Sequence, residues 1–325
     1  MVNIASLLDL PSLEADLSRL EDALRAAVLS ADPFLSEVAA HLIAAGGKRL
    51  RPALAVAAAV GGGGTASEDV LQGGVAVELV HIGSLYHDDV MDEAVVRRGV
   101  ESVNARWGNL VAILAGDFLL ARASEIAASL GTEVAGLLAA TIGRLCEGQV
   151  GELKTAFSVQ RTQDEYLGSI SGKTASLTSA ACRIGGLCAG LGRREVDSLT
   201  AYGEAVGMVF QIRDDVLDVV GTEESLGKPA GQDLVEGTYS LPVILALADP
   251  VAGSELRPLL GSPLDEAERD KARAVVRSSG GVESALAVGR RYADDAAAAV
   301  GGLPDGPVAA AMGALGHRLL DDLDG

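Results

Sequence analysis

Two short stretches of the chain each contain three aspartates in the spacing D-D-x-x-D. The first lies in SLYHDDVMDEAVVRRG and the second in QIRDDVLD, and together they contain Asp88, Asp89, Asp92, Asp214, Asp215 and Asp218. On a helix, carboxylates four residues apart share one face and repel each other, so a bound cation would stabilise each cluster. Magnesium is typically held by one or two carboxylates together with substrate phosphates. Two facing clusters therefore predict several magnesium ions that bridge a diphosphate.

The alternative interpretation is that both clusters are solvated acidic surfaces. The chain has 45 acidic residues, and two other aspartate pairs, Asp294–Asp295 and Asp321–Asp322, lack a third aspartate at the required spacing. Two complete copies with apolar neighbours at helical spacing favour metal binding over chance. Calcium fits less well, because no nearby loop supplies the backbone oxygens that it favours.

Basic residues are concentrated in a few motifs. They are Lys48, Arg49 and Arg51 in GGKRLRP, Arg97 and Arg98 after the first aspartate cluster, Lys173 in SISGKTASL and Lys228 in LGKPAGQD. Lys48 and Arg51 share a helix face, whereas Arg49 is expected to face away. Arg97 and Arg98 are predicted to end the first aspartate helix. Each cation alone is more often a surface residue. Arginine and lysine also bind phosphate oxygens, and the two acidic clusters favour that interpretation here.

Apolar residues at helical spacing run through most of the chain, broken by glycine and proline. Long helices are predicted over about 68–96, 103–129, 132–157, 163–190, 194–220 and 239–249, with shorter helices after Pro250. Alanine and leucine favour helices, and aromatic residues make up only 3% of the chain. No polar linker divides the sequence. We therefore predict an all-α fold, in which residues 1–325 form a single large helical bundle with functional side chains projecting inward.

Composition excludes several classes of protein. A net charge of −19 argues against nucleic acid or an anionic membrane surface as the main partner. Three cysteines without metal-binding spacing argue against a disulfide framework or a zinc site. The first residues lack the pattern of a secretory signal, and no apolar run is long enough to span a bilayer. These features predict a soluble cytoplasmic protein without a transmembrane segment.

The motifs HDDVMDEAVVRRG, QIRDDVLDVVG, GGKRLRP, SGKTASL and GKPAGQDL together resemble those of the trans-isoprenyl diphosphate synthases, or polyprenyl synthetases. The resemblance covers about residues 40 to 245. It implies an isoprenoid synthase type I-like fold of helices around a deep central cavity, usually in a homodimer. It also implies a magnesium-dependent prenyltransferase that joins isopentenyl diphosphate head-to-tail to an allylic diphosphate. The allylic substrate ionises, the carbocation is alkylated and a proton is lost, so no nucleophilic serine or cysteine is required.

The resemblance also implies roles for individual residues. The metal ligands would be Asp88, Asp92, Asp214 and Asp218. The allylic diphosphate would contact Arg97, Lys173, Thr174, Gln211 and Lys228. Isopentenyl diphosphate would be held by Lys48, Arg51, His81 and Arg98. The residues expected to carry catalysis are Asp88, Asp89, Asp92, Lys173, Asp214 and Asp215.

One position departs from the family pattern. The family commonly has a lysine in E-G-K-x-[ST]-L-P, but EGTYSLP places Thr238 there and removes one expected contact to the allylic diphosphate. This departure keeps open the alternative of a non-catalytic subunit that modulates a second prenyltransferase chain, although both aspartate clusters are complete. A class I terpene cyclase is disfavoured, because such enzymes usually have a different second metal motif and need no isopentenyl site.

Product length is predicted from the residues four and five positions before the first aspartate. In the family these positions often close the product tunnel with bulky aromatic side chains, whereas here they are Ser84 and Gly83. Small side chains predict a deeper tunnel and a product longer than C20, in the range of roughly C30–C50. The alternative is a farnesyl or geranylgeranyl diphosphate synthase. In it, Gly83 and Ser84 only allow close helix packing and another helix closes the tunnel, for example at Phe118.

Overall fold

The structure, a computed structural model, describes residues 7–8, 10, 12–222, 229–321 and 323. Its α-helices are Leu13–Ala27 (α1), Pro33–Ala44 (α2), Leu50–Gly61 (α3), Glu68–Met91 (α4), Val103–Trp107 (α5), Asn109–Ser129 (α6), Thr132–Lys154 (α7), Gln163–Ile170 (α8), Ser176–Cys188 (α9), Arg193–Val220 (α10), Gln232–Glu236 (α11), Leu241–Ala248 (α12), Pro250–Leu256 (α13), Glu266–Ser278 (α14), Gly281–Val300 (α15) and Pro307–Asp321 (α16). A π-helical turn, Ser171–Ala175, joins α8 to α9. Two short antiparallel strands, Val96–Arg97 (β1) and Val100–Glu101 (β2), form the hairpin after α4. The prediction of an all-α fold is confirmed.

The two helices that carry the aspartate clusters lie at the centre of the packing. Helix α4 packs against α3, α6 and α9, and α10 packs against α9 and α15. Alanine, valine and leucine dominate the buried residues, and the aromatic side chains among the largest fully buried ones are Tyr86, Tyr166, Tyr202 and Tyr239. Small side chains let helix backbones approach closely, which fixes the relative positions of the two clusters. Within the described part of the chain, every helix is too short or too polar to cross a membrane.

The first aspartate helix ends earlier than predicted. It stops at Met91, and Asp92 is its C-terminal cap. Glu93 then adopts a left-handed backbone conformation with φ of 52°, and the N–H of Ala94 donates to the carbonyl of Asp89. Glycine usually makes such a helix end. Because glutamate occupies the position here, this helix end could not be predicted from the residue type.

The prediction that Arg97 and Arg98 end this helix is wrong. Arg97 lies on β1, and Arg98 lies in the turn before β2 with φ of 53°. Ser102 Oγ and Asn104 Nδ2 both donate to the carbonyl of Ala94 and so fasten the hairpin to the end of α4. The hairpin thereby places both arginines beside α4 rather than on it.

Two other predicted helices are interrupted. The predicted helix over about 103–129 breaks at Gly108, whose φ is 88°, and the one over about 163–190 contains the π-helical turn. Helix α7 contacts that turn through glycines: a Cβ on Gly148 would lie 2.7 Å from the carbonyl oxygen of Ser169, and one on Gly172 would lie 2.8 Å from that of Arg144. The extra residue of a π turn re-aims the side chains that follow. Here it sets the direction of Lys173.

Candidate active site

A cavity of about 130 Å³ lies between the two aspartate helices. Asp92 of α4 contributes to its lining, as do Gln211 and Asp215 of α10 and Lys173 of the π turn. The other lining residues are Glu152, Arg161, Tyr166, Ile170, Asp233, Glu236 and Thr238. The structure thus brings one aspartate of each cluster, Asp92 and Asp215, to the same cavity.

The members of the first cluster have different surroundings. Burial raises the pKa of Asp88 and of Asp92, and Lys173 counteracts this at both. Asp89 is fully buried and accepts a hydrogen bond of 2.6 Å from Arg97 Nε, and Arg97 Nη2 forms an ion pair with the same oxygen at 2.6 Å. Asp88 and Asp92 are therefore placed to bind cations. Asp89 holds Arg97 beside α4, and its catalytic role stays a prediction.

The second cluster shows a similar division. Asp215 is buried and accepts hydrogen bonds from Tyr166 (2.6 Å) and from Gln211 (2.7 Å). Burial raises the pKa of Asp215 to about 7. Asp214 is more exposed and lies 3.6 Å from the Arg213 guanidinium. The buried Asp218 accepts a hydrogen bond of 3.2 Å from the N–H of Asp233 and so fixes the start of α11. Of the three aspartates in this cluster, Asp214 is the most exposed to solvent.

Polar side chains connect the π turn to the second cluster. Thr174 Oγ1 donates to Gln211 Oε1 (2.8 Å), and Gln211 Nε2 donates in turn to Asp215. Lys173 Nζ donates to Glu152 Oε1 at 2.6 Å. Burial disfavours the charged form of Lys173, but Glu152 and the first cluster outweigh this and raise its pKa. Lys173 is therefore a charged donor held at the cavity.

A second group of cations surrounds the buried Glu78, about three turns before Asp89 on α4. Arg49 Nη1 donates to Glu78 Oε1 at 2.9 Å and also pairs with Glu21, so this arginine is buried away from the cavity, as expected. Arg98 Nη1 donates to the carbonyls of Leu42 and Gly46. Its Nη2 lies 3.9 Å from Glu78. One carboxylate therefore faces several arginines.

Arg51, His81 and Lys48 complete this group. The Arg51 Nε is buried without a hydrogen-bond partner among the described residues. Burial and the charges of Arg51 and Arg98 lower the pKa of His81 well below its usual range. The Lys48 ammonium lies 5.2 Å from the ring centre of Phe210, the residue before Gln211. The GGKRLRP motif is therefore adjacent to the second aspartate helix.

The two residues predicted to control product length have separate surroundings. A Cβ on Gly83 would lie 3.1 Å from the carbonyl oxygen of Gly116 and 3.4 Å from Leu119 Cβ, both on α6. The half-buried Ser84 donates from Oγ to the carbonyl of His81. Gly83 therefore fits the alternative interpretation, in which a small residue allows two helices to pack closely. Phe118, also on α6, is partly buried against the same apolar cluster as α4. Control of product length stays a prediction.

Some site residues carried no recognised motif. Glu152, Arg161 and Tyr166 line the cavity or hold its members, but nothing in their spacing pointed to this role. Glu152 lies two residues before the end of a long helix, and Arg161 lies in a loop. Lys228, predicted to bind the allylic substrate, lies outside the described residues.

The residues present fit magnesium. Within the described ranges, no three histidine, cysteine or carboxylate side chains are grouped so that they alone would hold a metal ion. Asp92 and Asp215 nevertheless share one cavity with three further carboxylates, Glu152, Asp233 and Glu236. Negative charge gathered in a buried space is unfavourable without a counter-ion. One or two carboxylates completed by phosphate oxygens and water are the donor set that magnesium prefers.

An all-α bundle with two aspartate clusters and several cations around one cavity is the architecture of a helical enzyme that acts on diphosphates. The polyprenyl synthetase family model matches residues 32–278. The chain is 40% identical to nonaprenyl diphosphate synthase of Mycobacterium tuberculosis, over 94% of this chain and 91% of the relative. It is 41% identical to heptaprenyl diphosphate synthase component 2 of Geobacillus stearothermophilus, over 90% of this chain and 91% of the relative.

A solved structure agrees with these matches. The crystal structure of polyprenyl synthase from Caulobacter crescentus CB15, complexed with calcium and isoprenyl diphosphate, superposes with a TM-score of 0.91 at 34% identity and covers 97% of each chain. The chain therefore belongs to the polyprenyl synthetase family, and it is a prenyltransferase.

Proposed function

We propose that this protein condenses isopentenyl diphosphate head-to-tail with an allylic diphosphate and makes linear all-trans polyprenyl diphosphates longer than C20. The observation that carries the proposal is the cavity in which Asp92 and Asp215 meet Lys173 and Gln211. Membership of the polyprenyl synthetase family supports the reaction. The relatives named nonaprenyl and heptaprenyl diphosphate synthase support this class of product length.

The allylic diphosphate would lie against Lys173, between the two aspartate helices. Magnesium held by Asp88, Asp92, Asp214 and Asp218 would neutralise the diphosphate and make it a better leaving group. Lys173 and Gln211 are hydrogen-bonded in place without substrate, so they would stabilise developing negative charge with little reorganisation. The allylic carbon–oxygen bond breaks with its electron pair on the departing diphosphate. The double bond of isopentenyl diphosphate attacks the carbocation, and the diphosphate accepts the proton that is lost.

Isopentenyl diphosphate would occupy the cationic group of Lys48, Arg51, His81 and Arg98. The unpartnered Nε of Arg51 is a donor available to a phosphate oxygen. His81 is held neutral, so it would contribute a hydrogen bond without adding a further positive charge. This substrate keeps its diphosphate during the reaction, which fits a site built from fixed cations rather than from carboxylates and metal.

A second copy of the chain is the proposed partner. Helices α6 and α7 expose large apolar side chains at helical spacing: Leu110, Ile113, Leu114, Val150 and Leu153. Leu110 is 71% exposed and Leu114 56%. A row of exposed apolar residues on neighbouring helices is typical of an interface, and the family resemblance favours a homodimer. The alternative is a heteromeric enzyme, because one relative is named as component 2 of a heptaprenyl diphosphate synthase.

The proposed compartment is the cytoplasm. Cys146, Cys182 and Cys188 are all free thiols. Free cysteines at exposed and buried positions alike are typical of a reducing compartment.

The reaction is tested by the incorporation of labelled isopentenyl diphosphate into extractable prenyl chains, with and without farnesyl diphosphate and with magnesium or a chelator. Incorporation should require the allylic substrate and magnesium. Asp88→Asn should lower kcat by about 100-fold or more, as removal of one group that stabilises reaction charge commonly does. Asp294→Asn removes one carboxylate of a surface aspartate pair and should leave kcat unchanged. No incorporation by the wild-type protein with any primer would contradict the proposal and favour a non-catalytic subunit.

A further inference from the structure

Arg161 lies in the loop between α7 and α8 and lines the same cavity as Asp92 and Asp215. It is only 5% exposed. Its Nη1 donates to the carbonyl of Tyr239 at 3.0 Å. Its Nε and Nη2 are buried and have no hydrogen-bond partner among the described residues. A buried guanidinium with two unused nitrogens is costly, and such donors are rarely left unpaired without a reason.

The neighbours of Arg161 favour its charged form but accept no hydrogen bond from its Nε or Nη2. Its guanidinium lies 5.5 Å from the ring centre of Tyr166, which in turn donates to Asp215. Burial lowers the pKa of Arg161, while the nearby carboxylates Glu152 and Asp215 counteract this. Arginine remains protonated even in such surroundings. The side chain is therefore a fixed cation with free N–H groups at the cavity.

Two hydrogen bonds to backbone carbonyls hold the loop of Arg161 next to Thr238. The N–H of Phe157 donates to the carbonyl of Gly237 at 2.8 Å, and Arg161 donates to that of Tyr239, so these two bonds flank Thr238 on both sides. The hydroxyl of Thr238 carries no charge, yet this residue also contributes to the cavity lining. Among the described residues that line the cavity, Arg161 is the cation held beside Thr238 by these hydrogen bonds.

We propose that Arg161 binds the diphosphate of the allylic substrate through Nε and Nη2 and supplies the positive charge that Thr238 does not. This inference rests on the proposed prenyltransferase function. Arginine is suited to the role because its planar fork of N–H groups matches two oxygens of one phosphate group. Lys173 then contacts the diphosphate from the π turn and Arg161 from the loop before α8, with the aspartate clusters and their metal between them.

The test compares Arg161→Gln with the wild-type protein in two measurements. The first is the Kd for inorganic diphosphate by titration calorimetry, with and without magnesium. The second is the KM for each substrate. Loss of a charged hydrogen bond should raise both the Kd and the allylic KM by about 10-fold or more, with the KM for isopentenyl diphosphate nearly unchanged. Arg122→Gln is the control, because Arg122 also donates to a backbone carbonyl, that of Ala27, outside the cavity.

A double variant that moves the positive charge to position 238 separates substrate binding from a structural role. Thr238→Lys in the Arg161→Gln background restores a cation beside position 161 and should recover most of the lost diphosphate affinity. If Arg161 only holds the Tyr239 carbonyl, Arg161→Gln will lower the melting temperature and leave the Kd and the allylic KM at wild-type values. That result would overturn the inference.

Two further outcomes are distinguishable. If Arg161→Gln does not fold, the Kd is measured on Arg161→Lys, which keeps the charge but lacks the fork. We then expect a Kd clearly weaker than that of the wild type, and an equal Kd overturns the inference. If the wild-type protein itself fails to condense the substrates, the proposed function fails. If it condenses them while Arg161→Gln keeps its diphosphate affinity, only the role of Arg161 fails.

Discussion

His81 shows how a single residue is tuned by the charges around it. Burial and the nearby arginines keep the imidazole neutral in the folded protein, whereas its ordinary pKa is 6.5. Below pH 6.5 the unfolded chain therefore binds a proton that the folded protein does not, and stability falls as the pH drops. We expect His81 to cost about 1 kcal/mol of stability between about pH 7.5 and pH 5.5.

Urea unfolding at the two pH values measures this cost. His81→Gln should remove the extra loss at the lower pH, whereas His317→Gln, at a half-exposed position on α16 next to Asp294, should keep it. An equal pH dependence in the wild type and His81→Gln would contradict a neutral His81.

At the residue scale, the sequence was a better guide to which residues form the site than to the role of each one. The repeat D-D-x-x-D located both clusters, and the structure brings Asp92 and Asp215 to one cavity. The motif could not show that Asp89 would be buried against Arg97, because that contact depends on where the hairpin folds. Arg161 was missed for a related reason, since its neighbour Thr238 is 77 positions further along the chain (238 minus 161).

At the element scale, the long helices followed from apolar spacing, whereas their interruptions did not. The end of α4 depends on Glu93 in a conformation that favours glycine. The π turn depends on the close approach of α7 at Gly148 and Gly172. Both are tertiary effects, and local propensity carries little information about them.

The contact between α7 and the π turn gives a prediction. Gly148→Ala places a Cβ among the backbone atoms of residues 169–173, so it should destabilise the protein by roughly 1–3 kcal/mol and lower kcat by displacing Lys173. Gly143→Ala, on the same helix with open space around its Cβ, should be neutral or stabilising. Urea unfolding and steady-state kinetics measure both effects. Equal stability of the two variants would contradict the close approach.

Helix α4 also gives a prediction about product length. Ser84→Phe should shorten the main product, because a bulky side chain would block the path along the helix. Gly83→Phe is expected to misfold or repack, since its side chain would meet the backbone of α6. Mass spectrometry of the extracted products measures the length. If Ser84→Phe leaves the length unchanged and Phe118→Ala increases it, the tunnel ends on α6.

At the scale of the whole molecule, the proposed homodimer is tested at the exposed apolar residues of α6 and α7. We expect the purified chain to be a dimer in light scattering, and Leu114→Glu to convert it to a monomer by placing a charge in the interface. Val251→Glu, at another exposed apolar position on α13, should leave the dimer intact. A monomeric wild-type chain would contradict the homodimer and favour a separate partner subunit.

The central claim is that this chain makes long linear prenyl diphosphates. The most direct test supplies purified protein and magnesium with labelled isopentenyl diphosphate and a C10, C15 or C20 allylic diphosphate, and then sizes the extracted chains. We predict linear products longer than C20. Products that stop at C15 or C20 would keep the reaction but contradict the predicted product length, and no elongation with any primer would contradict the assignment as an active prenyltransferase.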